Sequence, residues 1–108
     1  MMKAGDIYST DDGEGKFGVV KILKLENGIV HVRVYKNKFT SRPTSIRLDE
    51  LSLGTIKDKD GFGIGHLPIN ENEFKAWKAI LLTKTVVTPE ELEGYELWKE
   101  SRCGVFGK

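Results

Sequence analysis

The stretch Phe17-Gly18-Val19-Val20-Lys21-Ile22-Leu23-Lys24-Leu25-Glu26-Asn27-Gly28-Ile29-Val30-His31-Val32-Arg33-Val34-Tyr35 decides the fold. Two runs rich in β-branched residues flank Asn27-Gly28, a pair that favours a two-residue type I′ turn because both central positions need positive φ. That turn pairs Glu26 with Ile29, Lys24 with His31, Ile22 with Arg33 and Val20 with Tyr35. In this register Val19, Leu23, Leu25, Val30, Val32 and Val34 share the core face. His31, Arg33 and Tyr35 then project from the opposite face with Val20 and Ile22, a semi-polar surface for another element or a partner to cover.

Outward from the hairpin, Asp6-Ile7-Tyr8 reads as a short strand and Asp11-Asp12-Gly13-Glu14-Gly15 as a turn. Pro43 makes an extended break. Ile46, Leu48, Leu51 and Leu53 straddle a short strand or turn, and Thr55-Ile56-Lys57 reads as a further strand. Four or five short strands in succession predict a small, strongly bent antiparallel sheet or open barrel over the N-terminal two-thirds.

The last third switches to a helical period. Asn70 is an N-cap with Glu73 at N3, and Ile69 and Phe74 sit at the staple positions. Thr88 repeats the arrangement with Pro89 at N1, Glu91 at N3, and Val87 and Leu92 as staple. These signals predict helices over about 71–78 and 89–101. Leu92, Tyr95 and Trp98 form one stripe of the second helix, and Phe74, Trp77 and Trp98 are assigned to the core. Gly94, unfavourable inside a helix by about 1 kcal/mol relative to Ala, points to a close backbone contact. The fold class is therefore α+β, with two C-terminal helices closing the open side of the sheet.

A chain of 108 residues fits one domain, 1–108. With 39% hydrophobic and 31% charged residues it is too apolar for disorder and too polar for a membrane span. The start of the sequence shows no signal or transit pattern, and a cytoplasmic protein is expected. A lone Cys103 cannot form an internal disulfide.

Catalytic and metal patterns are weak. Asp58-Lys59-Asp60-Gly61 resembles part of a calcium loop, but Ile56 and Leu67 stand where its outer carboxylates belong. His31, His66 and Cys103 lack zinc-type spacing. Gly61-Phe62-Gly63-Ile64-Gly65-His66 matches neither a dinucleotide nor a phosphate loop, yet it is the best ligand-facing segment. No cofactor is expected.

Charge is segregated beneath a net charge of +1. From Ile29 to Leu48 there are Arg33, Lys36, Lys38, Arg42 and Arg47 and no acid, while Glu90, Glu91, Glu93, Glu96 and Glu100 crowd the second helix. The opening Gly5-Asp6-Ile7-Tyr8 with Lys16-Phe17-Gly18-Val19-Val20-Lys21-Ile22-Leu23 resembles immunity-type proteins of bacterial toxin systems. Asp60 to Pro68, together with Glu91-Leu92-Glu93-Gly94-Tyr95-Glu96-Leu97-Trp98, is similar to a set of short uncharacterised bacterial proteins. The first resemblance implies a protein partner and carries over no binding residue; the second covers most of the chain and says nothing of activity. The expected function is a non-enzymatic binding module that recognises a protein, with Arg33, Tyr35, Lys36, Lys38 and Arg42 docking it and Phe62 and His66 lining a second surface. The alternative is a nucleic-acid-binding small barrel using the basic segment 33–47, with Tyr35 and Phe39 as stacking aromatics.

Overall fold

A computed structural model describes residues 2–54, 63–101 and 104–105 of the chain. The expected strand at Thr55-Ile56-Lys57, the Asp58 to Gly61 turn, Phe62 and Cys103 lie outside the described residues. Five strands form one antiparallel sheet: β1 (Asp6–Asp11), β2 (Phe17–Glu26), β3 (Ile29–Val34), β4 (Ile64–Asn70) and β5 (Ile80–Lys84). Helix α1 (Glu71–Lys75) separates β4 from β5, and α2 (Glu93–Ser101) follows. The order across the sheet is β4-β3-β2-β1-β5, an open sheet with β4 and β5 at its edges. No described helix is long and apolar enough to cross a membrane.

The hairpin turn forms as its sequence dictates. Asn27 and Gly28 take φ of 52° and 76°, and Glu26 pairs with Ile29 and Lys24 with His31. Beyond that point the register slips by one residue at Leu23. Ile22 faces Val32 and Val20 faces Val34, in place of the expected Arg33 and Tyr35 partners. A bulge of this kind turns the rest of the strand over. Val20 and Ile22 consequently join Val30 and Val32 in a core with Tyr8, Leu67, Ile69 and Phe74. Val19, expected on that face, belongs to the other side with Ile7 and Tyr35.

The two helices cover opposite faces of the sheet, not one open side. Phe74 of α1 is buried in the first cluster, with Trp77 packed against its ring at 5.3 Å. Tyr95 and Trp98 of α2 lie against His31, which alternates with Val30 and Val32 along β3 and so faces the other way. Both tryptophans are half-buried. Asn70 caps α1 by accepting from the backbone N–H of Asn72. At Thr88 the capping box closes reciprocally, Thr88 N donating to Glu91 Oε1 at 2.9 Å and Glu91 N to Thr88 Oγ1 at 3.3 Å. The turn it starts is wound with i to i+3 bonds, and the α-helix begins at Glu93, four residues after the expected start. Around Leu48–Glu50 the chain makes one 3₁₀ turn where a strand or turn was expected.

Gly5 sits where β1 meets the end of β5. Its φ is +95°, and a Cβ there would lie 2.0 Å from the Thr85 carbonyl oxygen. The Gly5 carbonyl also accepts from Thr85 N and Thr85 Oγ1, so the two backbones cannot separate cheaply. Gly5→Ala is expected to cost about 2 kcal/mol through backbone strain and this clash. An unchanged urea midpoint would refute that assignment.

Candidate functional site

Arg33, Tyr35, Lys36, Lys38 and Arg42, expected to dock a partner together, do not share one surface, and of the second expected surface only His66 lies among the described residues. Arg33 on β3 is half-buried, its Nε without a hydrogen-bond partner among the described residues. Tyr35 is 8% exposed and packs with Ile7 and Val19, so it presents no docking face. Lys36 donates its backbone N–H to Ser52 O. Arg42 turns back onto the sheet, donating to Ser9 Oγ at 2.7 Å and stacking over the Phe17 ring at 5.1 Å. Arg47 pairs with Asp49 at 3.0 Å. Lys38 is exposed, on the opposite side of the sheet from the Tyr35 cluster. With Tyr35 buried and Phe39 half-buried against the second cluster, the segment offers bases no exposed aromatic to stack on.

His66 lies in β4 beneath α2, not in a ligand-facing loop. Its Nε2 hydrogen-bonds His31 Nδ1 at 2.9 Å, and the two rings stack at 5.1 Å. Tyr95 and Trp98 each meet the His31 ring edge-on at 4.7 Å. The close contact anticipated at Gly94 is here, since a Cβ on Gly94 would lie 2.6 Å from His66 Cβ. Burial and the neighbouring His66 push the His31 imidazole down to about 4, and burial also lowers His66. Tyr95 is fully buried, and its hydroxyl donates to Glu26 Oε1 at 2.6 Å; that bond raises the phenol to about 12. Except for His31 Nε2, buried without a hydrogen-bond partner among the described residues, these groups are occupied with one another and fasten α2 to the sheet.

Among the described residues the outer edge of β5 is open. This strand pairs, among the described residues, with β1 alone, Tyr8 facing Leu81 and Ser9 facing Ile80, and Leu82 forms the bulge that tucks into the second core cluster. Ile80 is 53% exposed and Leu81 43%, on opposite faces of the strand, with Val86 80% exposed just beyond. Between Phe74 and Pro89 the chain carries Lys75, Lys78 and Lys84 and no acid. Lys84 reaches 3.8 Å from the buried Asp6 carboxylate but remains mostly exposed. The other edge, β4, is blunted by Pro68, which has no N–H to offer, and by α2 packed against it. Sequence reasoning passed over β5, whose run Ala79-Ile80-Leu81-Leu82 is too short to be more than a buried or edge strand. The signal was that run's position between two helix caps.

Comparison of the chain with protein-family models, with curated proteins and with solved structures finds no match.

Proposed function

We propose that the protein is a binding module that recognises a protein partner, as an immunity-type or regulatory factor does, by accepting an extended strand of that partner along β5. The observation that supports this reading is the pair Ile80 and Leu81, exposed on a strand that among the described residues pairs on one side only. An unpaired edge supplies main-chain donors and acceptors for an added strand, and alternate side chains then set specificity. Lys84, mostly exposed in β5, selects for an acidic residue beside it on that strand.

An acetylated and amidated Asp-Val-Tyr-Val-Asp peptide is the probe. Titrated into labelled protein, it is expected to shift the amide resonances of Ile80 to Lys84 and slow their hydrogen exchange. Ile80→Lys with Leu81→Lys should abolish both effects while leaving the rest of the spectrum in place. No shift at millimolar peptide, or shifts centred elsewhere, would overturn the β5 reading. Salt-sensitive binding of random-sequence nucleic acid, weakened by Lys38→Ala, would instead favour the basic segment.

A further inference from the structure

We infer that a groove on the α1 side of the sheet is a binding site for a small molecule combining an apolar ring system with a single carboxylate. The groove encloses about 510 Å³, within the roughly 300–1,000 Å³ typical of small-ligand sites. It lies past the end of α1, with Val20 and Val34 in its floor and Trp77 in one wall. An indole beside two valines suits a flat apolar body.

The polar end is built around Gly18. A Cβ at this position would point into the groove, 3.2 Å from Lys38 Nζ and 3.3 Å from Thr10 Oγ1. The missing side chain thus lets an ammonium and a hydroxyl converge over bare backbone at the floor. Two donors, one of them charged, match a carboxylate head. Asp12 is close enough to feel the Lys38 charge, but its Oδ1 is taken by the backbone N–H groups of Glu14 at 2.7 Å and Lys16 at 3.2 Å. Asp11 is likewise held in its turn by Gly13 N. Asp11, Asp12 and Glu73 on the rim outnumber Lys38 and Lys78, so an anion is held only by direct contact with Lys38 and each further negative charge is repelled more strongly. That balance selects a monocarboxylate over a phosphate ester.

The site is separate from the β5 edge, and its test is independent of the peptide titration. The probes are 2-naphthoate, neutral 2-naphthalenemethanol and naphthyl phosphate, followed by calorimetry and by amide shifts. Naphthoate is expected to bind about tenfold more tightly than the alcohol or the phosphate, with the largest shifts at Thr10, Gly18 and the Trp77 indole. Lys38→Met, a change at an exposed side chain, should erase the preference over the alcohol and leave the alcohol's own affinity unchanged. The assignment fails if naphthoate produces no shift at these positions at millimolar concentration. It fails equally if the carboxylate preference survives Lys38→Met, or if the phosphate binds better than naphthoate.

Discussion

Glu91→Ala is expected to destabilise the protein by about 3–5 kcal/mol, the cost of removing one member of a buried ion pair and leaving the other charge behind. Lys21 is the charge left behind. Its ammonium donates to Glu91 Oε1 at 2.9 Å, to Oε2 at 3.0 Å and to the Val86 carbonyl at 2.7 Å, with side chains only 7% and 14% exposed for Lys21 and Glu91. Burial alone would raise the Glu91 carboxyl, but the Thr88 N–H and the Lys21 ammonium outweigh it and hold the group below its ordinary value. The same carboxylate closes the capping box, so alanine removes a cap as well as a counter-ion. Lys21→Met with Glu91→Leu should recover most of the loss, because the desolvation cost disappears with both charges. Urea unfolding of the two single variants and the double variant gives the coupling directly. A single-variant loss below about 1 kcal/mol would show that water solvates Lys21 and that this pair does not anchor the segment leading to α2.

The contrast between what could and could not be read in the sequence follows from the range of the interactions. Asn27-Gly28, Asn70 and Thr88 were legible because a turn and a cap are settled within about four residues, by φ and by one or two hydrogen bonds. The bulge at Leu23 was not. Both faces of this sheet are covered, so Val19 and Val20, and again Ile22 and Leu23, are apolar side by side and alternation gives no phase. The loss of register then carried Val20 and Ile22 to the wrong face. Tyr35 and Arg42 were assigned to a surface for a related reason. Their burial is decided by the loop that returns over Phe17 and by Ser9 of β1, contacts far away in sequence. The β5 edge was missed because its openness is a property of strand order, which no local pattern encodes.

Acid should weaken the fold through the His31 and His66 pair well before the carboxylates titrate. In the folded protein His31 is held neutral down to about 4 and His66 is lowered too, whereas in the unfolded chain both imidazoles protonate near their ordinary value of 6.5. Between about pH 6.5 and 4 the unfolded state therefore binds more protons, so stability rises with pH across this window. The contribution is complete above 6.5 and is lost as pH falls towards the folded value. Burial is the main cause, reinforced by the neighbouring imidazole and by Lys24, while the Glu26 carboxylate opposes the shift. Tyr95 does not relieve it, since its hydroxyl is committed to Glu26. For His31 alone the loss amounts to about 3 kcal/mol at most. Urea unfolding at pH 7.5 and pH 4.5 should show a loss of that order in the native protein and a much smaller one in His31→Gln with His66→Gln. The double variant will itself start from a lower stability, so the comparison is of pH slopes and not of midpoints. Equal slopes would rule out the imidazole pair as the source of acid sensitivity in this window, since Glu91 and Glu26, whose carboxyls are lowered, lose their contribution only at lower pH. An acid-weakened imidazole pair would release α2 first, because Tyr95, Trp98 and Gly94 all rest on those two rings. Faster hydrogen exchange in 93–101 than in β2 at pH 4.5 would identify it as the element that opens.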